Sequence, residues 1–291
     1  MKKIIAAAVA TAFVAPAMAA DITITGEMEY QYVQTSGATD SMTNDDNQIN
    51  VVITEELSNG WTISGQQTIA NNAGDASHDG GKLALSNAEF GKLSIGDNDA
   101  ALDSMNEYAT GAPEEGGDVA KGVDASILYS FPTIMPGLSI NVSHQPATGL
   151  SSTDGKGDGY AVTYTAGSIS VFAGSGTAGA VDYNGAGIKY SSGPITVAYE
   201  ISEETNATTV TSDDEGKGLF ASYKMGDIEF GIETQKDETV SNAGAKTVNI
   251  DETISYVQYH WGSNVDVYIE NMSSDVATVA DEVTIGLEYT F

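Results

Sequence analysis

Carboxylates are the most abundant chemically active side chains of this sequence. Asp and Glu number 41 against 11 Lys and Arg, the formal net charge is −30, and every basic residue is a lysine. An excess of this kind attracts cations and repels anions. It also argues against nucleic-acid binding, which needs clustered Lys and Arg to neutralise phosphates.

The stretch from Asp97 to Gly122 is the longest part of the chain without strand-like alternation, and it is rich in carboxylates. Loops beyond about 12 to 15 residues are usually functional or disordered. This one could line a passage with negative charge, or it could be a solvated acidic loop on the outer surface. Its candidate site residues are Asp97, Asp99, Asp103, Glu107, Tyr108, Glu114, Glu115 and Asp118.

Two motifs, "DNDAALD" and "DGKGDG", space their carboxylates so that they could supply oxygen ligands to Ca²⁺. The signal is weak, because Lys156 stands where a ligand is wanted and Asp-Gly runs are more often plain turns. Ca²⁺ bound at Asp97, Asp99 and Asp103 is a candidate site, and we expect no cofactor to be required.

Nucleophilic hydrolysis is the main enzymatic alternative, and it needs a serine, a histidine and an orienting group that meet in space. Ser143 and His144 are adjacent, so on a strand they point to opposite faces and cannot pair. The absence of Cys excludes a thiolate nucleophile, a thiolate metal site and a disulfide framework. We expect a protein that is not an enzyme, and we expect His144 and His260 to be interfacial residues.

The first residues of the chain predict an export signal. Met1-Lys2-Lys3 is followed by a short apolar run and by the small residues Ala17-Met18-Ala19, which is typical of a secretory signal peptide. We predict a signal peptide over 1–19, with cleavage after residue 19 or 20 and a membrane anchor as the alternative. Residues 20–291 then form a single domain. No later segment approaches 18 consecutive apolar residues, which excludes a helical membrane protein.

Apolar residues recur with a period of two along the rest of the chain. Sixteen segments of this kind, from Ile22 to Thr35 at one end to Glu282 to Phe291 at the other, are each near the length of a tilted transmembrane strand. Short turns such as Ser58-Asn59-Gly60 alternate with long acidic loops, which is typical of an outer-membrane barrel. The prediction is an all-β transmembrane antiparallel barrel, most consistent with 16 strands and with 14 or 18 as alternatives.

Alternation alone fits both a β-sandwich with an apolar core and a barrel with an apolar exterior. Aromatic residues at strand ends, an even strand count and many carboxylates in the polar phase favour the barrel. Residues in the polar phase are expected on the lumen wall: Glu27, Glu29, Glu56, Asp124, Glu200, Glu229, Glu233, Asp266, Glu270, Glu288, Lys92, Lys189 and Lys224.

These features resemble the general bacterial porins of the Gram-negative outer membrane, a family of trimeric sixteen-stranded barrels. The resemblance covers the whole mature chain. It is most specific in the last strand, with Leu287, Tyr289 and Phe291, and in "EFGKLSIGDNDAALDSMNEY", Glu89 to Tyr108, which is similar to the segment leading into the family's third loop.

The resemblance implies that the third loop, residues 97–122, folds into the barrel as the pore constriction. It implies that Leu287, Tyr289 and Phe291 form the signal read by the outer-membrane barrel assembly machinery, and that the protein is a homotrimer. Family members usually oppose the loop's carboxylates with arginines on the facing wall. This chain has no arginine, so that cluster is missing or reduced to a few lysines.

The sequence therefore predicts an outer-membrane porin of a Gram-negative bacterium with a water-filled, cation-preferring pore for passive diffusion of ions and small hydrophilic solutes. Its expected partners are outer-membrane lipid, cations and small hydrophilic solutes, and not nucleic acid. The alternatives are a plugged structural or adhesin barrel with acidic outer loops, and an outer-membrane barrel hydrolase.

Overall fold

The computed structural model describes residues 20–70, 77–103, 108–113, 124–147, 156–206, 212–241, 246–276 and 279–291. The predicted signal peptide, residues 1–19, lies outside the described residues. Across the described ranges, no helix is both long enough and apolar enough to cross a membrane.

Sixteen antiparallel strands close into one barrel, which confirms the predicted fold class and selects 16 strands over 14 or 18. They are β1 (Asp21–Thr35), β2 (Ser41–Glu56), β3 (Thr62–Ala70), β4 (Ser77–Asn87), β5 (Gly91–Asp99), β6 (Asp124–Ser130), β7 (Leu138–Gln145), β8 (Gly157–Ala166), β9 (Ile169–Ala178), β10 (Val181–Ser192), β11 (Ile195–Asn206), β12 (Ser212–Met225), β13 (Ile228–Ser241), β14 (Lys246–His260), β15 (Val265–Ser274) and β16 (Glu282–Thr290).

The last strand closes the barrel against the first. β16 pairs with β1 from Glu27↔Thr290 to Thr35↔Glu282. Phe291 extends this ladder, because its N–H donates to the Gly26 carbonyl at 2.9 Å and its carbonyl accepts from the Gly26 N–H at 2.9 Å. Closure leaves no strand with a row of unpaired backbone groups, as a structure in lipid requires.

Short connections gather at one end of the barrel, which we name the short-turn end. They join β2–β3, β4–β5, β6–β7, β8–β9, β10–β11, β12–β13 and β14–β15. The tightest are two-residue turns, in which Gly167 (φ 61°) and Gly226 (φ 64°) take the left-handed conformation that glycine adopts without steric cost. At the opposite, long-loop end β9 and β10 are also joined by a tight turn, at Gly179, so the alternation of loop lengths is broken there.

The two faces of the barrel differ in polarity as the period of two predicts. Large apolar side chains on the outer face are open to the surroundings, for example Ile24 at 58% exposure and Ile269 at 48%. Aromatic pairs lie on this face near the short-turn end: Trp61 stacks on Phe90, Tyr129 contacts Phe131 edge to face, and Tyr289 stacks on Phe291. An apolar exterior with aromatic residues at its rim fits a surface embedded in lipid.

Candidate functional site

The segment that follows β5 turns into the barrel interior. β5 continues through Asp99, so Asp97 and Asp99 lie on a strand and not in the loop predicted from Asp97 onwards. The β5–β6 ladder shifts register between Ile95 and Asn98, and a bulge of this kind bends a strand and redirects its side chains. We name residues 100–123 the interior loop; its described parts are 100–103 and 108–113.

The first described part of the interior loop is buried against β7–β10. Ala101 is 0% exposed, and its N–H donates to the Ser143 hydroxyl at 2.9 Å. Leu102 is 2% exposed and packs over Gly174 and Gly185, where a side chain on either glycine would collide with it or crowd it. Small residues on the wall therefore make the room in which this part of the loop lies.

Tyr108 fixes the second described part of the loop to β9 and β10. Its hydroxyl donates to the Ser170 hydroxyl at 2.9 Å, and its ring meets the Phe172 ring edge to face at a centroid distance of 4.7 Å. The Lys189 ammonium lies 5.7 Å from the centroid of the same ring, within cation–π range.

Two buried glutamates on the wall accept the loop's backbone N–H groups. Glu200 Oε2 accepts from Tyr108 N at 3.1 Å and from Ala109 N at 3.3 Å. Glu233 Oε2 accepts from Gly111 N at 3.0 Å and from Ala112 N at 3.2 Å. Hydrogen bonds to an ionised acceptor are about twice as strong as neutral ones, so each carboxylate holds one turn of the loop against the wall.

Apolar residues on the inward face complete the surface against which the loop packs. Ala112 packs in a buried cluster with Ala198, Phe220, Ile254 and Tyr256. Tyr256 also points inward and is 3% exposed, unlike the aromatic residues on the outer face near the short-turn end. Inward apolar residues break the polar phase of their strands, and that break is the sequence signal that would have located the loop's footprint.

The wall from β2 to β4 carries polar side chains where it faces the barrel interior. Gln48, Asn50, Gln66, Thr68 and Lys82 line a polar cavity of about 450 Å³. Asp97 and Asp99 on β5 line the same cavity, together with Gly80 and Gly81. Sequence reasoning missed Lys82 and the amide side chains, although their phase along the strands would have identified them as inward-facing.

Alternation along the strands places the predicted wall residues on the inward face, where they fall into an exposed group and a buried group. Glu27, Glu56, Glu229, Asp266, Glu288, Lys92, Lys189 and Lys224 are partly or fully exposed, whereas Glu29, Glu200, Glu233 and Glu270 are at most 5% exposed. These four glutamates are therefore covered and do not line the open lumen. The interior loop covers Glu200 and Glu233, and the Tyr268 hydroxyl donates to Glu29.

Five of the predicted positions cannot be placed. Glu107, Glu114, Glu115 and Asp118 lie outside the described residues, as does the side chain of Asp124, although its backbone pairs with Asp99 in the β5–β6 ladder. Asp103 follows Leu102 at the end of the first described part of the loop.

A histidine–carboxylate cluster lies on the inward face near the short-turn end, where an interfacial His260 was expected. His260 Nδ1 is 2.7 Å from Asp266 Oδ1, and its Nε2 is 3.6 Å from Glu229 Oε2. The Tyr256 hydroxyl donates to Glu229 at 3.1 Å. This cluster joins β13, β14 and β15 across the wall.

The arrangement of Ser143 and His144 does not support hydrolysis. Ser143 points inward to the Ala101 N–H, whereas His144 lies on the other face with its Nδ1 2.6 Å from Asp158. Among the described residues, no group of three or more His, Cys, Asp or Glu side chains is arranged to hold a metal ion. Ca²⁺ at Asp97, Asp99 and Asp103 stays a prediction.

The candidate assembly residues lie on the outer face of β16 and directly after it. Leu287, Tyr289 and Phe291 are 51%, 46% and 40% exposed. The Phe291 ring covers Gly26, where any side chain would collide with it.

Comparisons with known proteins agree with this architecture. A family model described as Gram-negative porin matches residues 6–277. A search among curated protein sequences finds no match.

Solved structures share the fold at low sequence identity. Salmonella typhi OmpF in complex with daunomycin is similar with a TM-score of 0.77 at 15% identity, covering 93% of this chain and 97% of that one. The trimer form of OmpT, an outer membrane protein of Vibrio cholerae, gives 0.76 at 15% identity, with 94% and 100% covered. A mutant Rh. blastica porin gives 0.72 at 16% identity, with 93% and 100% covered.

Proposed function

The chain belongs to the Gram-negative porin family, and from that premise we propose that it forms a water-filled, cation-preferring pore for passive diffusion of ions and small hydrophilic solutes. The family and the closed barrel place the protein in the outer membrane. The observation that carries the proposal is the interior loop, which is held by Glu200 and Glu233 against one side of the barrel.

The position of the loop supports an open passage. Its described residues contact strands from β7 to β14, while the polar cavity lies on the β2–β5 side of the interior. A sixteen-stranded barrel is wide enough to leave an aqueous channel unless it is plugged. The described part of the loop packs against one wall, which supports a lumen that is narrowed on that side.

The charge of the lumen wall supports a preference for cations. Four lysines among the described side chains of the strands face inward: Lys82, Lys92, Lys189 and Lys224. The carboxylates that face inward in the same strands outnumber these lysines. An aqueous passage with low-dielectric walls of one predominant charge concentrates the opposite counter-ion. K⁺ should therefore pass more readily than Cl⁻.

The pore's other partners are part of the same proposal. The matched Vibrio cholerae OmpT is described as a trimer form, and we extend a homotrimer to this chain. Residues 1–19 would direct export and be removed after residue 19 or 20. The barrel assembly machinery would then read Leu287, Tyr289 and Phe291, whose side chains lie together on the outer face.

Planar-bilayer recording of the purified protein under a KCl gradient tests this function. We expect an ohmic conductance whose reversal potential has the sign of K⁺ preference. A folded barrel with no conductance would favour the alternative of a plugged structural or adhesin barrel. A conducting barrel with a Cl⁻-signed reversal potential would keep the pore and overturn the cation preference.

A further inference from the structure

The polar cavity on the β2–β5 wall is more elaborately built than a smooth lumen surface. Three ladders close to it shift register: β1–β2 between Glu27 and Glu29, β3–β4 between Gln67 and Ile69, and β5–β6 between Ile95 and Asn98. Bulges concentrate beside functional sites because they redirect side chains.

Glycines at the same place let side chains approach the backbone closely. Gly80 (φ 72°) leaves the space that the Asp97 carboxylate occupies, and any side chain at position 80 would collide with it. A side chain at Gly96 (φ 133°) would collide with the backbone of Gly81 and Lys82. The backbone here is therefore shaped around the cavity.

Charges of both signs face this cavity. Lys82 on β4 and Asp99 on β5 both line it, and within the described part of the chain neither has an ion-pair partner. A cation and an anion kept apart beside one cavity are complementary to a solute that carries both charges. The amides of Gln48, Asn50 and Gln66 and the Thr68 hydroxyl add hydrogen-bonding groups between them.

We propose that this cavity is a solute subsite for small zwitterions of the amino-acid class, in which Lys82 receives the carboxylate and Asp99 the ammonium group. The cavity volume of about 450 Å³ suits a small solute with its first waters. Among the described residues that line it there is no aromatic ring, so these residues offer no flat platform on which a sugar ring could stack. This inference rests on the proposed pore function, because the subsite lies along the diffusion path.

Uptake into proteoliposomes tests the subsite with β-alanine as the zwitterionic probe. β-Alaninamide carries only the cation, 3-hydroxypropionate only the anion, and 3-hydroxypropionamide neither. Because β-alanine has no net charge, the overall charge selectivity of the pore does not govern its flux. We expect β-alanine to enter faster than the neutral probe by roughly twofold to fivefold, the effect of one partly solvated charge pair, and its rate to saturate with concentration.

Variants assign the effect to the cavity. Lys82→Met and Asp99→Asn should each reduce β-alanine uptake to the rate of the neutral probe, whereas Lys217→Met, which changes a lysine on the outer face, should not. KCl conductance recorded on the same preparations separates the two proposals. Absent conductance would overturn the pore and the subsite with it.

Normal conductance without faster β-alanine uptake would overturn the subsite alone. β-Alanine uptake that Lys82→Met leaves unchanged would show that the lysine does not receive the carboxylate, and would also overturn it.

Discussion

At the residue scale, the wall glutamates serve two purposes although all of them face inward. Glu56 is exposed and adds charge to the interior, whereas Glu200 and Glu233 are buried and accept hydrogen bonds from the loop's N–H groups. A buried carboxylate would be costly without such donors, and a buried N–H would be costly without such an acceptor. Carboxylate and loop therefore depend on each other for their position.

Neutralising an anchor should loosen the interior loop. Glu233→Gln removes the charge, and the new NH₂ group must face either the loop N–H groups of Gly111 and Ala112 or the side-chain amide of Gln235. Each charge-assisted hydrogen bond that is lost costs roughly 1.5–3 kcal/mol. We expect noisier and altered single-channel conductance, with Glu200→Gln showing the same direction of change. Glu56→Gln removes an exposed inward charge that accepts no hydrogen bond from the described loop residues, and it serves as the matched control. Steady wild-type conductance in both anchor variants would contradict the anchoring role.

The inward direction of Glu200 and Glu233 could be predicted from the sequence because strand alternation fixes it. Their burial could not, because it comes from loop residues about 90 and 120 positions earlier in the chain. Ile254 and Tyr256 illustrate the same limit. Their apolar side chains face inward because they pack against Ala112 of the interior loop, and this contact cannot be predicted from the sequence of β14 alone. The inward direction of Lys82 could have been predicted, because it pairs with Gln66 in the polar phase of β3.

At the element scale, the seam between β1 and β16 joins the first strand to the last and closes the barrel. Phe291 contributes both backbone bonds with Gly26 and a ring that covers that glycine. A barrel whose last strand fails to pair keeps an open edge, which lipid does not tolerate.

Phe291→Ala keeps both backbone bonds but removes the ring that covers Gly26, and we expect it to lower the amount of folded barrel in the outer membrane before it changes any property of the pore. Heat-modifiable mobility on gels and membrane fractionation measure this amount. Phe131→Ala is the matched control, because Phe131 is 41% exposed against 40% for Phe291 and lies outside the seam. Equal levels of folded protein in the two variants would argue against a special role for the terminal residue.

Inward aromatic rings that lie over glycines of the neighbouring strand provide a second element-scale test. The Tyr268 ring lies over Gly286, and a side chain there would overlap it. Gly286→Ala should destabilise the barrel by roughly 1–3 kcal/mol through overpacking and lower its thermal midpoint. Gly65→Ala, whose new methyl would meet only Leu83 Cδ1 at 4.0 Å, should be nearly neutral. Similar midpoints for both variants would contradict this packing.

Strand number, antiparallel order and most tight turns could be predicted, since the period of two and the turn glycines are local signals. The register shifts and the extension of β5 through Asp99 could not, because a bulge depends on pairing with a strand elsewhere in the chain. For that reason, the position of Asp97 and Asp99 beside the polar cavity could not be predicted from the sequence.

At the scale of the whole molecule, the net charge of −30 is expressed partly in the lumen and partly in the polar loops at the long-loop end. Both contributions attract cations to the passage, and both weaken as salt shortens the Debye length from about 10 Å at 0.1 M to about 3 Å at 1 M. The K⁺ over Cl⁻ permeability ratio should therefore fall as the mean KCl concentration rises at a fixed gradient. A ratio independent of salt would indicate selection by size alone.

The most direct test of a loop-narrowed, cation-preferring pore is the reversal potential of the charge-reversed variant Asp99→Lys/Asp103→Lys/Glu107→Lys under a KCl gradient. The wild type should show a K⁺-signed potential, and the variant should shift toward zero or toward the Cl⁻ sign while its barrel stays folded. A folded, conducting variant with the wild-type reversal potential would contradict the account, because these carboxylates would then not face the narrowest part of the ion path.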